Sequence, residues 1–190
     1  MFIEGEEQHL GSFIYEGDNW GTSIVIGLDS FGDSDRGDSD QLSDMEALDD
    51  VVTRSLIAFY EGSWGKLELT VSSDVSSKHD GTVASLGYAY TIEYQDWRFI
   101  PSVKTTWFSK DVSGYYYGVN QNDATVGRAF YQPNTGVNYG IEFGAEYHIE
   151  RNQLLMFSAE MDFLSKEIKD SPIIEESTMI EGTLGYMYLF

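Results

Sequence analysis

Between Val137 and Ile149 every second residue is apolar. Val137, Tyr139, Ile141, Phe143, Ala145, Tyr147 and Ile149 alternate with a set that includes Asn138, Glu142, Glu146 and His148. A period of two places the first set on one face of an extended strand and the second on the other. The pattern recurs along the chain. Trp20, Thr22, Ile24, Ile26 and Leu28 share a face in 19–29, and Leu67, Leu69, Val71 and Val75 oppose Lys66, Glu68, Thr70 and Asp74 in 64–75. In 82–94, Ala84, Leu86, Tyr88, Tyr90, Ile92 and Tyr94 oppose Ser85, Gly87, Thr91 and Glu93. Trp97, Phe99, Val103 and Trp107 then oppose Arg98, Ser102, Lys104 and Thr106, and Leu155, Phe157, Ala159, Met161 and Phe163 oppose Ser158, Glu160 and Asp162. The last segment sets Ile180, Leu184, Tyr186, Tyr188 and Phe190 against Glu181, Thr183 and Gly185. With weaker patterns at 1–5 and 8–15 and a mixed one at 51–60, the reading is ten strands.

A lipocalin-like soluble barrel would show the same alternation, so the connections decide. From Tyr15 onward, tight turns at 16–19, 61–63, 95–96 and 150–152 alternate with longer loops at 30–50, 76–80, 109–135 and 165–178. Short turns at one end and long loops at the other characterise a transmembrane up-and-down barrel. A soluble meander has no reason to sort its loops this way. Most segments reach about 11 residues, enough to cross a bilayer at a tilt of about 45°. No run of about 18 apolar residues exists, which excludes a membrane-spanning helix. Nineteen glycines, three prolines and thirteen tyrosines among 190 residues suit strands and turns. The expected fold is all-β: one antiparallel transmembrane barrel domain over 1–190, with both termini and the short turns periplasmic and the acidic loops outside. Tyr186, Tyr188 and Phe190 resemble the closing strand of bacterial outer-membrane barrels, where such a pattern acts as an assembly signal. The expected surroundings are therefore outer-membrane lipid and the barrel assembly machinery.

The polar faces gather Glu93, Glu142, Glu146, His148, Glu160, Asp162 and Glu181, with Lys66, Arg98 and Lys104 as cationic counterparts. In a barrel these are lumen-facing candidates. They read as a charged pore lining that selects solutes, or as a filled interior in which carboxylates pair with bases and hydroxyls. For ten to twelve strands the packed or narrow interior is the expectation. A net charge of −21 argues against nucleic acid as a partner. Without cysteine there is no disulfide framework or thiolate metal site. The acidic run Asp33–Asp40 fails the EF-hand pattern: counting from Asp33, position 6 is Asp38 and position 12 is Asp44, where glycine and glutamate are required. It reads as a solvated loop, with weak binding of divalent cations as the alternative. His9, His79 and His148 have no ligand spacing, and no Gly-x-Ser-x-Gly elbow or phosphate loop occurs. The expectation is a non-enzyme with no catalytic residue, metal or cofactor.

Three stretches carry a more specific signal: Gly114-Tyr115-Tyr116-Tyr117-Gly118-Val119, Gly127-Arg128-Ala129-Phe130-Tyr131-Gln132-Pro133, and Gly136-Val137-Asn138-Tyr139-Gly140. Together with Asp74-Val75-Ser76, the Leu86-Gly87-Tyr88 strand and Asp170-Ser171-Pro172-Ile173-Ile174, they resemble the MipA/OmpV family of MltA-interacting outer-membrane proteins. The resemblance implies a barrel of about twelve strands, of which this chain would hold the last ten, without the signal peptide and the first two strands. It also implies a scaffold role in peptidoglycan remodelling, joining a lytic transglycosylase to a penicillin-binding protein; other members are described as porin-like or adhesive. Within this frame Tyr115, Tyr116, Tyr117 and Arg128 are candidates for a loop folded inward. The tyrosines would constrict the mouth or anchor the loop to its rim. Arg128 would pair with lumen carboxylates or stack on a ring.

Overall fold

Each alternating stretch forms a strand. The computed structural model describes residues 2–4, 9–29, 31 and 42–188, and among these lie eleven strands and two short helices. The strands are β1 (Phe2–Glu4), β2 (His9–Glu16), β3 (Trp20–Leu28), β4 (Val52–Gly62), β5 (Gly65–Asp74), β6 (Thr82–Ala89), β7 (Ile92–Tyr94), β8 (Trp97–Phe108), β9 (Gly136–Glu150), β10 (Gln153–Phe163) and β11 (Thr178–Tyr188). All pairings are antiparallel between chain neighbours, except that β6 and β7 both pair with β8. This is an up-and-down sheet without crossovers. No ladder joins β1 to β11 among the described residues.

The single strand read over 82–94 is corrected to two, β6 and β7, and the cause is Pro101. The Tyr90 N–H donates to the Pro101 carbonyl at 3.1 Å, so the proline nitrogen faces the same neighbour with no hydrogen to offer. The ladder breaks there and resumes at Ile92, opposite Phe99. A second irregularity explains the weak pattern at 8–15. The register of β2 against β3 shifts between Phe13 and Tyr15, and a bulge of this kind interrupts the period of two. Phe13, Ile14 and Tyr15 are consequently all exposed. The mixed pattern of β4 arises because Phe59 lies on the polar side, with the Lys66 ammonium 5.3 Å from its ring centre.

The apolar face points outward. Tyr139, Phe143, Phe157 and Tyr186 are 60%, 46%, 47% and 57% exposed, as befits a face whose solvent is hydrocarbon. Aromatic rings collect on this face at the short-turn end. Tyr15 stacks on Trp20, Trp64 lies between Tyr60 and Tyr88, and Trp97 meets Phe99 and Tyr147. Trp107, Tyr139 and Phe163 are exposed near the other end. The ten residue steps from Trp97 to Trp107 span roughly 33 Å along the strand, or about 23 Å of height at a tilt of about 45°. That matches the apolar band between two interfacial girdles. No described helix is long and apolar enough to cross a membrane.

The buried core lies at the long-loop end. Phe108, Val112, Tyr116, Val51, Leu164 and Ile168 form it, with Phe31, Leu48, Val83, Tyr115, Tyr117 and Ile174 packed around them. Two helices absent from the sequence reading supply half of the central residues. The loop read over 109–135 contains α1 (Lys110–Tyr117), and the loop read over 165–178 contains α2 (Lys166–Lys169). Ser165 caps α2 by accepting from the Ile168 N–H at 3.3 Å. Ser109 precedes α1, but its hydroxyl oxygen accepts from the Thr82 N–H at 3.1 Å and so ties the helix to β6. Gly136 begins β9 because a Cβ there would strike the Phe108 ring.

Candidate lumen and the cap over it

On the polar side of the sheet a cavity of about 560 Å³ runs between β5–β6 and β8–β11, lined by Lys66, Glu68, Lys104, Glu142, Glu160, Asp162 and Glu181 with serine and threonine hydroxyls between them. Polar pairs organise this face. Across strands the Lys104 ammonium lies 2.6 Å from Glu160 and Ser102 donates to Glu142 at 3.1 Å; within β5, Lys66 pairs with Glu68 at 2.7 Å. Hydroxyls of Ser55 and Ser72, and of Ser85 and Thr106, hydrogen-bond across neighbouring strands. Glu93, Arg98, Glu146 and His148 occupy the short-turn end and do not line this cavity. Arg98 bonds Glu146 at 2.9 Å and approaches Glu93 at 3.9 Å; His148 is exposed, with its backbone N–H donating to Asp96 at 2.9 Å. Tyr186 and Tyr188 are exposed at the same end, where the Tyr186 hydroxyl donates to Gln153 at 3.0 Å. Phe190 and the acidic run 33–40 lie outside the described residues.

The cap lies at the other end of this cavity. Phe31, Tyr117 and Leu164 line it and also belong to the cap core. The three tyrosines of α1 divide the work because successive helical residues point about 100° apart. Tyr117 lines the lumen cavity, Tyr116 is buried in the core, and Tyr115 lines a second cavity on the outer side. Their hydroxyls donate to the Phe31 carbonyl, the Asp29 carboxylate and the Asp49 carbonyl at 3.4, 2.7 and 2.7 Å. All three acceptors belong to the β3–β4 connection, so α1 is clamped to it.

Arg128 does not reach the lumen carboxylates. It donates two parallel bonds to Asp44 at 2.8 and 3.0 Å and a third to the Asp123 carbonyl at 3.0 Å. The Asp44 bond and charge hold the Arg128 guanidinium's pKa above its ordinary value. This fork-to-fork pair fastens residues 118–134 to the β3–β4 connection. Arg128→Lys keeps the charge but cannot engage both oxygens. Limited proteolysis is expected to cleave within 118–134 faster in this variant, with the strands equally protected.

Sequence reasoning missed the polar centre of the cap. Asp74 accepts from the N–H groups of Ser76, Lys78, His79 and Asp80 at 2.6–3.0 Å and from the Ser76 hydroxyl at 2.7 Å, winding the β5–β6 connection around one carboxylate. That connection delivers the buried His79 ring, whose Nδ1 accepts from the Gly81 N–H at 2.8 Å and whose Nε2 lies 3.5 Å from Asp29. Burial raises the pKa of Asp29, but His79 and the Tyr116 hydroxyl outweigh it and hold the carboxyl below its ordinary value. Burial, then the Asp29 bond, pushes the Tyr116 phenol upward and keeps it protonated. The available signal was Asp74-Val75-Ser76, an Asx-turn sequence at a strand end. Among the described residues no three histidine or acidic side chains converge as a metal site.

An antiparallel up-and-down sheet with an apolar exterior, aromatic girdles and a polar cavity defines an outer-membrane β-barrel protein. The chain belongs to the MipA family: the family model described as MltA-interacting protein MipA matches residues 1–190. It is 26% identical over 160 residues to the putative outer membrane protein YiaT of Escherichia coli O157:H7, covering 82% of this chain and 65% of that one. It is 27% identical over 128 residues to the MltA-interacting protein of Escherichia coli K12, covering 67% and 52%. With the outer membrane protein OmpV of Vibrio cholerae it shares 20% over 178 residues, covering 90% and 68%. Matched regions thus span about half to two thirds of these relatives' lengths. No solved structure matches. The protein resides in the outer membrane of a Gram-negative bacterium.

Proposed function

We propose that this protein is a non-catalytic barrel that binds peptidoglycan-remodelling enzymes at the periplasmic face of the outer membrane. A lytic transglycosylase is the first such partner and a penicillin-binding protein the second. One observation favours this over a solute channel: Phe31, Tyr117 and Leu164 lie across the long-loop end of the lumen cavity as part of a packed core. A relative named for its interaction with MltA supports the partner class. On this reading Glu142, Glu160, Asp162, Glu181 and Lys104 fill and rigidify the interior. Arg98, Glu93, Glu146 and His148 stiffen the rim, and Tyr186, Tyr188 and Phe190 serve barrel assembly. A stable interface buries about 800 Å² per partner. The hairpin tips at 17–19, 63–64, 95–96 and 151–152 must therefore act together as one broad footprint.

The test combines capture and conductance. The protein should retain a lytic transglycosylase from envelope extracts, and simultaneous substitution of Asp18, Asp96 and Arg151 by alanine should abolish retention. In planar bilayers Glu142→Gln and Glu160→Gln should produce no new steps. The acidic-lumen channel is the second reading, and steps in the parent protein that these two changes alter would establish it and overturn the scaffold.

A further inference from the structure

The outer cavity of the cap, about 680 Å³, opens away from the lumen between residues 46–49, Lys78, α1 and residues 118–134. We propose that it is a binding site for a neutral, polyhydroxylated ligand: a short oligosaccharide. The inference goes beyond the partner-binding role and does not depend on it.

The walls are fixed before any ligand arrives. Val119 and Tyr131 exchange backbone hydrogen bonds at 2.9 and 3.0 Å, and Arg128 holds Asp44 with two bonds. Asp49 is held from both sides, its carbonyl by the Tyr115 hydroxyl and its carboxylate by Lys78 at 2.6 Å. A groove already in its final shape spends little of its binding free energy on ordering. Its volume falls within the range of small-molecule sites, about 300–1,000 Å³.

The lining selects among ligand classes. Tyr115 and Tyr131 commit their hydroxyls to the Asp49 and Glu167 carbonyls, so they offer the groove ring surface on which the C–H face of a sugar stacks. The side-chain amides of Asn120, Gln132 and Asn134 line the same space and have no hydrogen-bond partner among the described residues. Each carries two donors and an acceptor, which is what vicinal hydroxyls require. Glu46, Asp49 and Asp111 face Lys78 and Lys110, and Lys78 is already paired, so no surplus cation awaits a phosphate. Ala47, Leu48 and Pro133 are too little aliphatic lining for a hydrocarbon ligand. The groove lies at the long-loop end, the outer side of a bacterial barrel, where the sugars come from lipopolysaccharide or from free oligosaccharides.

The test is titration calorimetry on the full chain in detergent with three probes: maltotriose, cellotriose and a neutral O-antigen oligosaccharide released from lipopolysaccharide. At least one should bind saturably, and the double variant Gln132→Ala, Asn134→Ala should bind it about tenfold more weakly. Heat-modifiable gel mobility should match the parent; if it does not, Asn120→Ala provides the same comparison. Binding of the O-antigen oligosaccharide alone assigns the site to lipopolysaccharide, and binding of a trisaccharide assigns it to free sugars. No binding by any probe, or equal binding by a folded variant, overturns the proposal.

Discussion

Phe108→Ala is expected to melt the cap while leaving the strands paired. Phe108 ends β8 with no exposed surface, its ring 4.9 Å from that of Phe31 and pressed against the backbone of Gly136. Removing a buried phenylalanine ring costs about 3–5 kcal/mol where the surroundings cannot collapse. They cannot collapse here, because the strand ends on either side are fixed by their ladders. The loss falls on the cap alone: α1 and α2 bury their apolar residues only there, whereas the strands are held by cross-strand pairs along their whole length. Amide hydrogen exchange in α1 should accelerate by about a hundredfold or more, with heat-modifiable gel mobility unchanged. The same variant should conduct in planar bilayers, since Phe31 and Leu164, which line the long-loop end of the lumen cavity, are held there by packing in the Phe108 cluster. Unchanged exchange in α1, or simultaneous loss of the barrel, would show that the cap is not a separate cooperative unit.

The contrast between barrel and cap also explains what was legible in the sequence. A period of two is a local signal, so 137–149 and 155–163 announced their faces, and exposed Tyr139 and Phe157 agree. The pattern failed where backbone chemistry intervened, at Pro101 and at the β2 bulge, since neither a missing donor nor an extra residue shows in hydropathy. The cap was illegible for a different reason. Its contacts join residues 29, 51, 79, 108, 116 and 168, and no periodicity links positions so distant. Tyr115–Tyr117 stood out as a block, but three different roles for three adjacent rings follow from a helix that Gly114 and Gly118 made hard to foresee. Arg128 was read as pairing with lumen carboxylates or stacking on a ring, whereas its carboxylate partner, Asp44, belongs to the β3–β4 connection.

Asp29→Asn should loosen the cap at neutral pH and should cease to matter in acid. The Asp29 carboxylate accepts the Tyr116 hydroxyl at 2.7 Å and the Phe31 N–H at 3.3 Å, and faces His79 Nε2 at 3.5 Å. Hydrogen bonds to a charged acceptor contribute about 1.5–3 kcal/mol, and an amide keeps the geometry but loses the charge. The sign of the pH dependence follows from the direction of the Asp29 shift. Its folded-state pKa lies below the ordinary 3.8, so its stabilising contribution is complete above about 3.8 and declines as pH falls through the lower, folded-state value. The parent and the asparagine variant should therefore differ in α1 exchange at pH 7 and converge as the medium is taken below 3.8. Other carboxylates that protonate over the same interval act on both proteins alike, so the difference between them isolates Asp29. A gap that persists undiminished in acid would mean that the variant acts through packing against Tyr116 and Phe31, and that the charge on Asp29 holds nothing in place.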